Sequence, residues 1–396
     1  MSEFNQPDIP TRSISEPTRS IKKPRMDESE FPDATSITKG SAPGYGVNKP
    51  PFNIFGKMVL YTEDRAVSLF YVAPDGTTFQ FLGIYDGHGG YRCSKAVSRF
   101  MQMELPAVAN MIYHQGVTAT GSATPLNESE VLAELFTRTV QHVAENQQSI
   151  GDYCGTTACC AIINLKTQVA TIANLGDSAC MIVGPGGELK FRTTDHDASN
   201  LQEQERIRKT HPWAQFYAIT AKDNAIRLNG GLMVVRGFGD FAYAEVGKYP
   251  DITTHQLESG DVLVIASDGL WETNLPTGMI GAGRPDFSIV QDIGEYQAAN
   301  ALVGTAGTPG LADHLIDRHL TDLAEGFKAT PKYARHSIEQ LRTAFDPCRD
   351  NQAVLTYTVP SISPSIDMVF EGQEPSAFEF VELEEQDITL RRSNSA

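Results

Sequence analysis

The 396-residue chain has few basic residues, no long apolar run and no paired-cysteine motif, and each absence excludes a class of protein. Its 32 Lys and Arg face 49 Asp and Glu, a net charge of −17, which argues against a nucleic-acid partner because phosphate binding needs a basic surface. No stretch approaches the ~20 consecutive apolar residues of a spanning helix. Residues 1–5 lack the features of a signal peptide, and Ser2 stands where myristoylation needs Gly. We therefore expect no membrane partner.

The six cysteines lack a pairing pattern as well, because none lies in a Cys-x-x-Cys motif. This usage is typical of reduced thiols in a cytoplasmic or nuclear protein. The adjacent Cys159 and Cys160 lie in an apolar run, which favours a role in the core over a reactive one. With 41% hydrophobic and 20% charged residues, the chain is too apolar for a disordered protein and is expected to fold.

Composition predicts one large domain between two polar ends. Residues 1–45 are rich in Ser, Thr, Pro and charge, and residues 361–396 are strongly acidic. Neither end has enough apolar surface to offset the entropy lost on ordering, so both are predicted to be disordered. Residues 46–360 are predicted to form a single domain, and we expect the protein to be a monomer.

Strand pairs alternate with long helices in this domain. A Pro-Asp-Gly turn at residues 74–76 separates two runs of β-branched and aromatic residues, 67–73 and 77–85, and predicts a hairpin. Spacing of apolar residues predicts helices at 91–112, 131–143, 203–209, 311–327 and 332–345, and buried strands at 157–165, 168–174, 179–183, 261–267 and 352–358. A long irregular stretch is expected to reach Ile226. The order favours packed sheets covered by helices over a doubly wound parallel sheet.

Carboxylates stand at the ends of five predicted strands: Glu63 with Asp64, Asp86, Asp177, Asp268 and Asp350. A single Asp beside a strand is more often a turn or helix cap, so the interpretation depends on the whole set. Converging carboxylates repel each other unless a cation compensates. All of them are hard oxygen donors, and no Cys or His cluster of zinc spacing accompanies them, so Mg²⁺ or Mn²⁺ is the expected ion. Two such ions support in-line displacement at phosphorus.

Short motifs surround these carboxylates in a definite order. They are FLGIYDGHGG at 81–90, NLGDS at 174–178, TDH at 194–196, residues 228–243 with Arg236 and Gly239-Asp240, residues 261–271, and RDN at 349–351. Together they resemble the signatures of the metal-dependent type-2C (PPM) Ser/Thr protein phosphatases, over roughly residues 40–360. The resemblance implies an α+β fold, a four-layer α-β-β-α sandwich with two central antiparallel sheets flanked by helix pairs. It also implies hydrolysis of phosphoserine and phosphothreonine in phosphoprotein substrates.

The resemblance further implies a set of metal ligands. Asp86 would bridge two Mg²⁺ or Mn²⁺ ions, with the Gly87 carbonyl completing one shell, and Asp268 and Asp350 would hold the first ion. Asp177 matches a residue that helps to form a weaker third site in some members.

The resemblance also implies roles for Glu63, Asp64 and His88. Glu63 would serve the second ion, directly or through water, with Asp64 beside it. A metal-bridging hydroxide would attack the phosphorus directly, without a phosphoenzyme. His88 matches the proposed general acid that protonates the leaving Ser or Thr oxygen, and His is the side chain most easily poised for that role near neutral pH.

The sequence departs from the family at the phosphate-binding Arg, because Val59 occupies the matching position. Lys57, Arg65 and Arg236 are the candidate replacements, although Lys cannot bind phosphate in the bidentate way that Arg does. The departure predicts low activity, and it leaves a second hypothesis open, a pseudophosphatase that serves as a binding or adaptor module. Residues 197–226 match a variable flap, and residues 272–309 form a longer, Gly-rich insertion.

Overall fold

The computed structural model describes residues 37–42, 53–54, 57–58, 63–122, 125–220, 223–271, 311–328, 335, 337–345 and 352–360. All of them belong to one compact unit, Asp33–Ala396. The helices are α1 (Arg92–Thr120), α2 (Glu128–Glu145), α3 (Gln147–Ile150), α4 (Leu201–Thr210), α5 (Asp268–Trp271), α6 (Leu311–Lys328) and α7 (Ile338–Phe345). None of the described helices is both long and apolar enough to cross a membrane.

The strands of the described residues form two five-stranded sheets and three smaller ones. They are β1 (Ile37–Ala42), β2 (Asn53–Ile54), β3 (Lys57–Met58), β4 (Arg65–Val72), β5 (Thr78–Tyr85), β6 (Gly87–His88), β7 (Gly155–Thr156), β8 (Ala158–Asn164), β9 (Val169–Leu175), β10 (Ala179–Val183), β11 (Leu189–Arg192), β12 (Phe216–Thr220), β13 (Asp223–Leu228), β14 (Phe238–Gly239), β15 (Asp251–Gln256), β16 (Val262–Ala266) and β17 (Gln352–Thr358). The first large sheet has the order β15-β9-β8-β5-β4 and the second β1-β17-β16-β10-β11. All pairings within both sheets are antiparallel.

The alternation of side chains along β5 explains why both faces of the first sheet are buried. Leu82 and Ile84 point into the core that the two sheets share. Phe81 and Tyr85, which point the other way, pack in a second core with residues of α1 and α2. Burying each of these side chains contributes about 1.5–3 kcal/mol. The sheet therefore requires both a partner sheet and a helical cover.

The second sheet repeats this arrangement on its own two faces. Leu263 and Ile265 of β16 pack in the shared core, whereas Val262 and Val264 pack with Leu315 of α6. The layers are thus helices, sheet, sheet and helices. The four-layer antiparallel sandwich that the resemblance implied is confirmed.

Local capping hydrogen bonds set the starts of two helices. Asn127 caps α2, since its Oδ1 accepts from the Glu130 amide and its Nδ2 donates to the Glu130 carboxylate. A second capping pair, which the sequence analysis did not identify, makes α7 begin at Ile338 rather than at 332. Ser337 Oγ accepts from the Gln340 amide, and Gln340 Oε1 accepts from the Ser337 amide.

Two expectations about irregular chain differ from the structure. The stretch up to Ile226 contains the hairpin β12–β13, whose Leu228 packs in a core with Ile207 of α4, so the prediction of irregular chain there is wrong. Its strands are stabilised by this tertiary packing, which local sequence does not reveal. Strand β1 lies within the segment that composition predicts to be a disordered arm. It pairs along the whole of its length with the edge of β17, and backbone hydrogen bonds of that kind need no apolar pattern.

The other segments that the sequence analysis singled out lie outside the described residues. These are the remainder of the arm 1–45, the insertion 272–309 and the acidic tail 361–396, and what the sequence indicates about them stays a prediction.

Candidate active site

Asp64 and Asp86 lie on neighbouring strands at the same end of the first sheet. The β4–β5 register pairs Arg65 with Tyr85, so the next residue outward on each strand is Asp64 and Asp86, respectively. Asp64 is only 4% exposed. Antiparallel pairing thus brings together two carboxylates that are 22 positions apart in sequence.

A serine connects this end of the first sheet to the second. Ser267 Oγ donates to Asp64 Oδ2 at 2.8 Å and accepts from the Ala353 amide at 2.9 Å. Asp268 follows Ser267 directly, and the chain enters β17 just before Ala353. The ends of β4, β16 and β17 therefore meet at one edge of the sandwich, where the sequence predicts the metal ligands. Asp350 itself lies outside the described residues.

The backbone around Asp86 is held by two threonines. The Asp86 carbonyl accepts from the Thr157 amide and from Thr156 Oγ1, both at 2.8 Å, and the Asp86 amide donates to Thr157 Oγ1 at 3.1 Å. Thr157 Oγ1 also lies 2.6 Å from Ser178 Oγ, beside the buried Asp177. The turn that carries Asp177 is thereby tied to the segment that carries Asp86.

Gly87 is required because Glu63 approaches its backbone closely. A Cβ atom at position 87 would lie 2.5 Å from the Glu63 carbonyl oxygen and 2.8 Å from Ser94 Oγ. Ser94 of α1 donates its hydroxyl to that same carbonyl and to the Tyr91 carbonyl. Any side chain at position 87 would push Glu63 away from the Asp86 segment.

These residues match the chemistry of a hard divalent cation, because all of the donors are carboxylate or carbonyl oxygens on neighbouring strand ends. Among the described residues, no group of three or more His, Cys, Asp or Glu side chains is placed closely enough to hold a metal ion. The fit therefore rests on the donor chemistry and on the shared edge of the two sheets.

His88 is bound to a carboxylate from a distant part of the chain. Its Nε2 lies 2.8 Å and 2.9 Å from the two oxygens of Asp240, which is 1% exposed. Burial lowers the pKa of His88, but the attraction of Asp240, aided by Glu63, outweighs it and leaves the pKa above the usual 6.5. The sequence analysis assigned no role to Asp240. The Gly239-Asp240 motif, which is part of the resemblance to the phosphatase family, could have pointed to this residue.

The three candidates for phosphate binding lie in different surroundings. Lys57 is in β3, and its side chain is not described. Arg65 lies over the ring of Tyr91, 5.6 Å from the ring centroid, and donates to the Asp64 carbonyl. Lys95 lies over the same ring at 5.7 Å, so it is a second cation at Tyr91, and the sequence analysis did not consider it.

Arg236, the third candidate, is buried in a network of carboxylates. It forms ion pairs with Glu203 of α4 and with Asp251 at the start of β15, and its guanidinium lies over the ring of Tyr249. The Asp251 carboxylate also contacts His196 at 3.0 Å. This network fastens the flap helix to the first sheet, so the structure does not support Arg236 as a phosphate ligand.

A family model for protein phosphatase 2C matches residues 63–277, which is more than half of the chain. This chain belongs to the protein phosphatase 2C family. The matched region contains the described ends of β4, β5 and β16 and the His88–Asp240 pair.

Among curated phosphatase 2C relatives, a probable protein phosphatase 2C 32 from Oryza sativa subsp. japonica is 28% identical over 262 residues, 66% of this chain and 62% of the relative. A protein phosphatase 2C homolog 2 from Aspergillus flavus is 28% identical over 261 residues, 61% of this chain and 54% of the relative. The chain thus spans less than two thirds of either relative's length.

Solved structures show the same fold. The crystal structure of a serine-threonine phosphatase 2C from Toxoplasma gondii aligns with a TM-score of 0.55 and 18% identity, covering 81% of this chain and 93% of that chain.

Proposed function

We propose that this phosphatase 2C family member hydrolyses phosphoserine and phosphothreonine in proteins with the help of two Mg²⁺ or Mn²⁺ ions. The observation that supports this most is the Ser267–Asp64 hydrogen bond, because it joins the carboxylate-bearing ends of the two sheets. Family membership supports the same reaction class.

The ligands that we propose follow the matched motifs. Asp86 would serve both ions and the Gly87 carbonyl one of them, Asp268 and Asp350 would hold the first ion, Glu63 with Asp64 would serve the second, and Asp177 would serve a weaker third. When bound, the ions supply an activated water and offset the charge of the phosphoryl group. The chain's own part is to hold these oxygens on rigid strand ends, so that little reorganisation accompanies the reaction.

His88 is the proposed proton donor to the leaving oxygen. An alkoxide is a poor leaving group, so a proton delivered as the bond to phosphorus breaks lowers the barrier. The raised pKa of His88, which Asp240 causes, keeps more of the imidazole protonated near neutral pH. This is the state that the role requires.

Phosphate binding is where this chain is expected to differ from its relatives. With Val59 in place of the family's Arg, we assign the contact to Arg65 or Lys57 rather than to Arg236, whose guanidinium is held by Glu203 and Asp251. Arg65, which follows Asp64 in the chain, and Lys95 both lie over the ring of Tyr91, and we propose that they supply positive charge near the site. We therefore expect this protein to bind the substrate phosphate more weakly than family members with the Arg do, and to have a low kcat.

The alternative function is a pseudophosphatase that binds phosphoproteins without hydrolysing them. The missing Arg favours it. The proposed carboxylate ligands, all of which are present in the sequence, favour the enzyme.

The two functions are separated by Mn²⁺-dependent release of phosphate from p-nitrophenyl phosphate and from a phosphothreonine peptide. Asp268→Asn and Asp261→Asn make a matched pair, because the two residues flank opposite ends of β16 and Asp261 is paired with Lys190 instead. We expect Asp261→Asn to retain activity and Asp268→Asn to lose it. Wild type no more active than Asp268→Asn at saturating Mn²⁺ would contradict hydrolysis and favour the pseudophosphatase.

A further inference from the structure

His88 and Asp240 meet above a glycine in a small three-stranded sheet. Strand β7 lies between β6 and β14, and Gly155 is the partner of His88 on one side and of Gly239 on the other. A Cβ atom at position 155 would overlap both the Asp240 carboxylate and His88 Nε2. Because position 155 has no side chain, an imidazole and a carboxylate from opposite edges of this sheet reach each other.

The backbone holds Asp240 in a conformation that few residues other than glycine adopt. Its φ is +50°, in the left-handed region, and the preceding Gly239 has φ +77°. The Asp240 amide donates to the Cys154 carbonyl at 3.1 Å, and Lys248 Nζ donates to the Gly239 carbonyl at 2.6 Å. Strained conformations of this kind cluster at functional sites, where surrounding contacts maintain them.

The geometry also distinguishes the two nitrogens of the imidazole. Nε2 is directed at the two oxygens of Asp240, at 2.8 Å and 2.9 Å. A carboxylate can only accept, so Nε2 carries the proton in this contact. Nδ1 is then the nitrogen that this contact leaves for a reacting group, and it bears a second proton when the ring is charged.

We propose that Asp240 is the positioning residue of His88, accepting Nε2–H and presenting Nδ1–H to the leaving Ser or Thr oxygen. This rests on the hydrolysis proposed above. As the P–O bond breaks, its electron pair stays with the leaving oxygen, which takes the proton from Nδ1. The imidazole becomes neutral, and its Nε2–H remains on Asp240. Asp240 does not contact the substrate and accepts no proton in this step.

The test compares two aryl phosphates whose leaving groups differ in acidity. p-Nitrophenolate leaves readily without a proton, whereas phenolate from phenyl phosphate benefits more from one. With full-length protein and saturating Mn²⁺, we expect Asp240→Asn to lower kcat for phenyl phosphate by about 10²-fold and for p-nitrophenyl phosphate by less than about fivefold, with KM unchanged. His88→Ala should show the same pattern, and the double variant should be no slower than His88→Ala alone.

Asp261→Asn is the control for the loss of a buried, ion-paired carboxylate. It should affect both substrates equally, if at all. A loss in Asp240→Asn that is equal for the two substrates, or that multiplies with the effect of His88→Ala, would overturn the positioning role while leaving hydrolysis established. Absence of activity in wild type would instead overturn the proposed function, and the positioning role with it.

A spectroscopic measurement tests the contact independently of turnover. Long-range ¹H–¹⁵N correlation spectra of the side chain, assigned by His88→Ala, should show neutral His88 with its proton on Nε2, and Asp240→Asn should shift that signal. A neutral ring protonated on Nδ1 in wild type would overturn the proposal.

Discussion

Ser267 Oγ lies 2.8 Å from Asp64 Oδ2, and this hydrogen bond connects the two sheets of the sandwich at the edge that carries Asp64 and Asp268. Both residues are buried, and the same hydroxyl accepts from the Ala353 amide of β17. One side chain therefore ties together the ends of three strands.

Ser267→Ala is expected to weaken both the fold and the site. The change leaves a buried carboxylate oxygen and a buried amide without this hydroxyl, so the free energy of unfolding should fall by about 1–3 kcal/mol in urea titrations. More Mn²⁺ should also be needed for half-maximal activity. Ser98→Ala is the control, because Ser98 Oγ donates at 3.3 Å within its own helix, to the Lys95 carbonyl. Equal effects of the two substitutions would show that Ser267 does not join the sheets.

Gly155→Ala is expected to force His88 and Asp240 apart. Crowding in this buried region should cost about 1–3 kcal/mol of stability, and kcat should fall more for phenyl phosphate than for p-nitrophenyl phosphate. Gly76→Ala provides the comparison, since its φ of +82° strains an alanine by about 1–2 kcal/mol but the space around it is open. A substrate-independent loss in Gly155→Ala would argue against a role for the pair in proton donation.

The Glu203–Arg236 ion pair is expected to make stability depend on pH. Burial raises the pKa of Glu203, but hydrogen bonds from Arg236 and Arg206 outweigh it and leave the pKa below the usual 4.5. A carboxyl group whose pKa is lower in the folded than in the unfolded protein stabilises the fold at any pH above its pKa in the unfolded protein. This stabilisation is lost as the pH falls through its pKa in the folded protein. Glu203→Gln should therefore cost about 1–3 kcal/mol near pH 7, and less below pH 4.5.

The measurement is urea unfolding of both proteins across that range of pH. Glu205→Gln, an exposed position on the same helix, should match wild type throughout. A cost of Glu203→Gln that stays constant with pH would contradict the predicted linkage.

Mn²⁺ is expected to stabilise the folded protein through the carboxylate site. An ion that binds the folded state alone, at one hundred times its Kd, adds about 2.7 kcal/mol and raises the Tm. Asp268→Asn should reduce this rise, and Asp261→Asn should not. The same rise in all three proteins, followed by differential scanning fluorimetry, would place the ion somewhere other than at Asp268.

Val59→Arg is expected to restore the phosphate contact of the family. A bidentate, charge-assisted pair should lower KM for p-nitrophenyl phosphate by about tenfold or more, whereas Val59→Lys should do less because an ammonium cannot bind in two places. An unchanged or raised KM would indicate that Lys57 or Arg65 already binds the phosphate as tightly as the family's Arg would, and would contradict the proposed weak binding.

Much of the fold was predictable because its signals are local. The run of β-branched and aromatic residues that ends at Tyr85 and the Pro-Asp-Gly turn at 74–76 each act within a few residues, and the strand and turn that they predict appear in the structure. The hairpin β12–β13 and strand β1 were not predictable, because the first is stabilised by packing against α4 and the second by the exposed edge of β17.

By itself the sequence determined which residues stand at the ends of strands and in which order the motifs follow, and that order indicated the family. Only the tertiary structure decided which distant side chains meet. His88 and Asp240 are 152 positions apart, Asp64 and Ser267 are 203 apart, and Arg236 and Glu203, which form an ion pair, are 33 apart. The physical reason is that such contacts depend on the register of paired strands and on the stacking of two sheets. Both are set by burial over the whole domain, and no short segment of sequence contains that information.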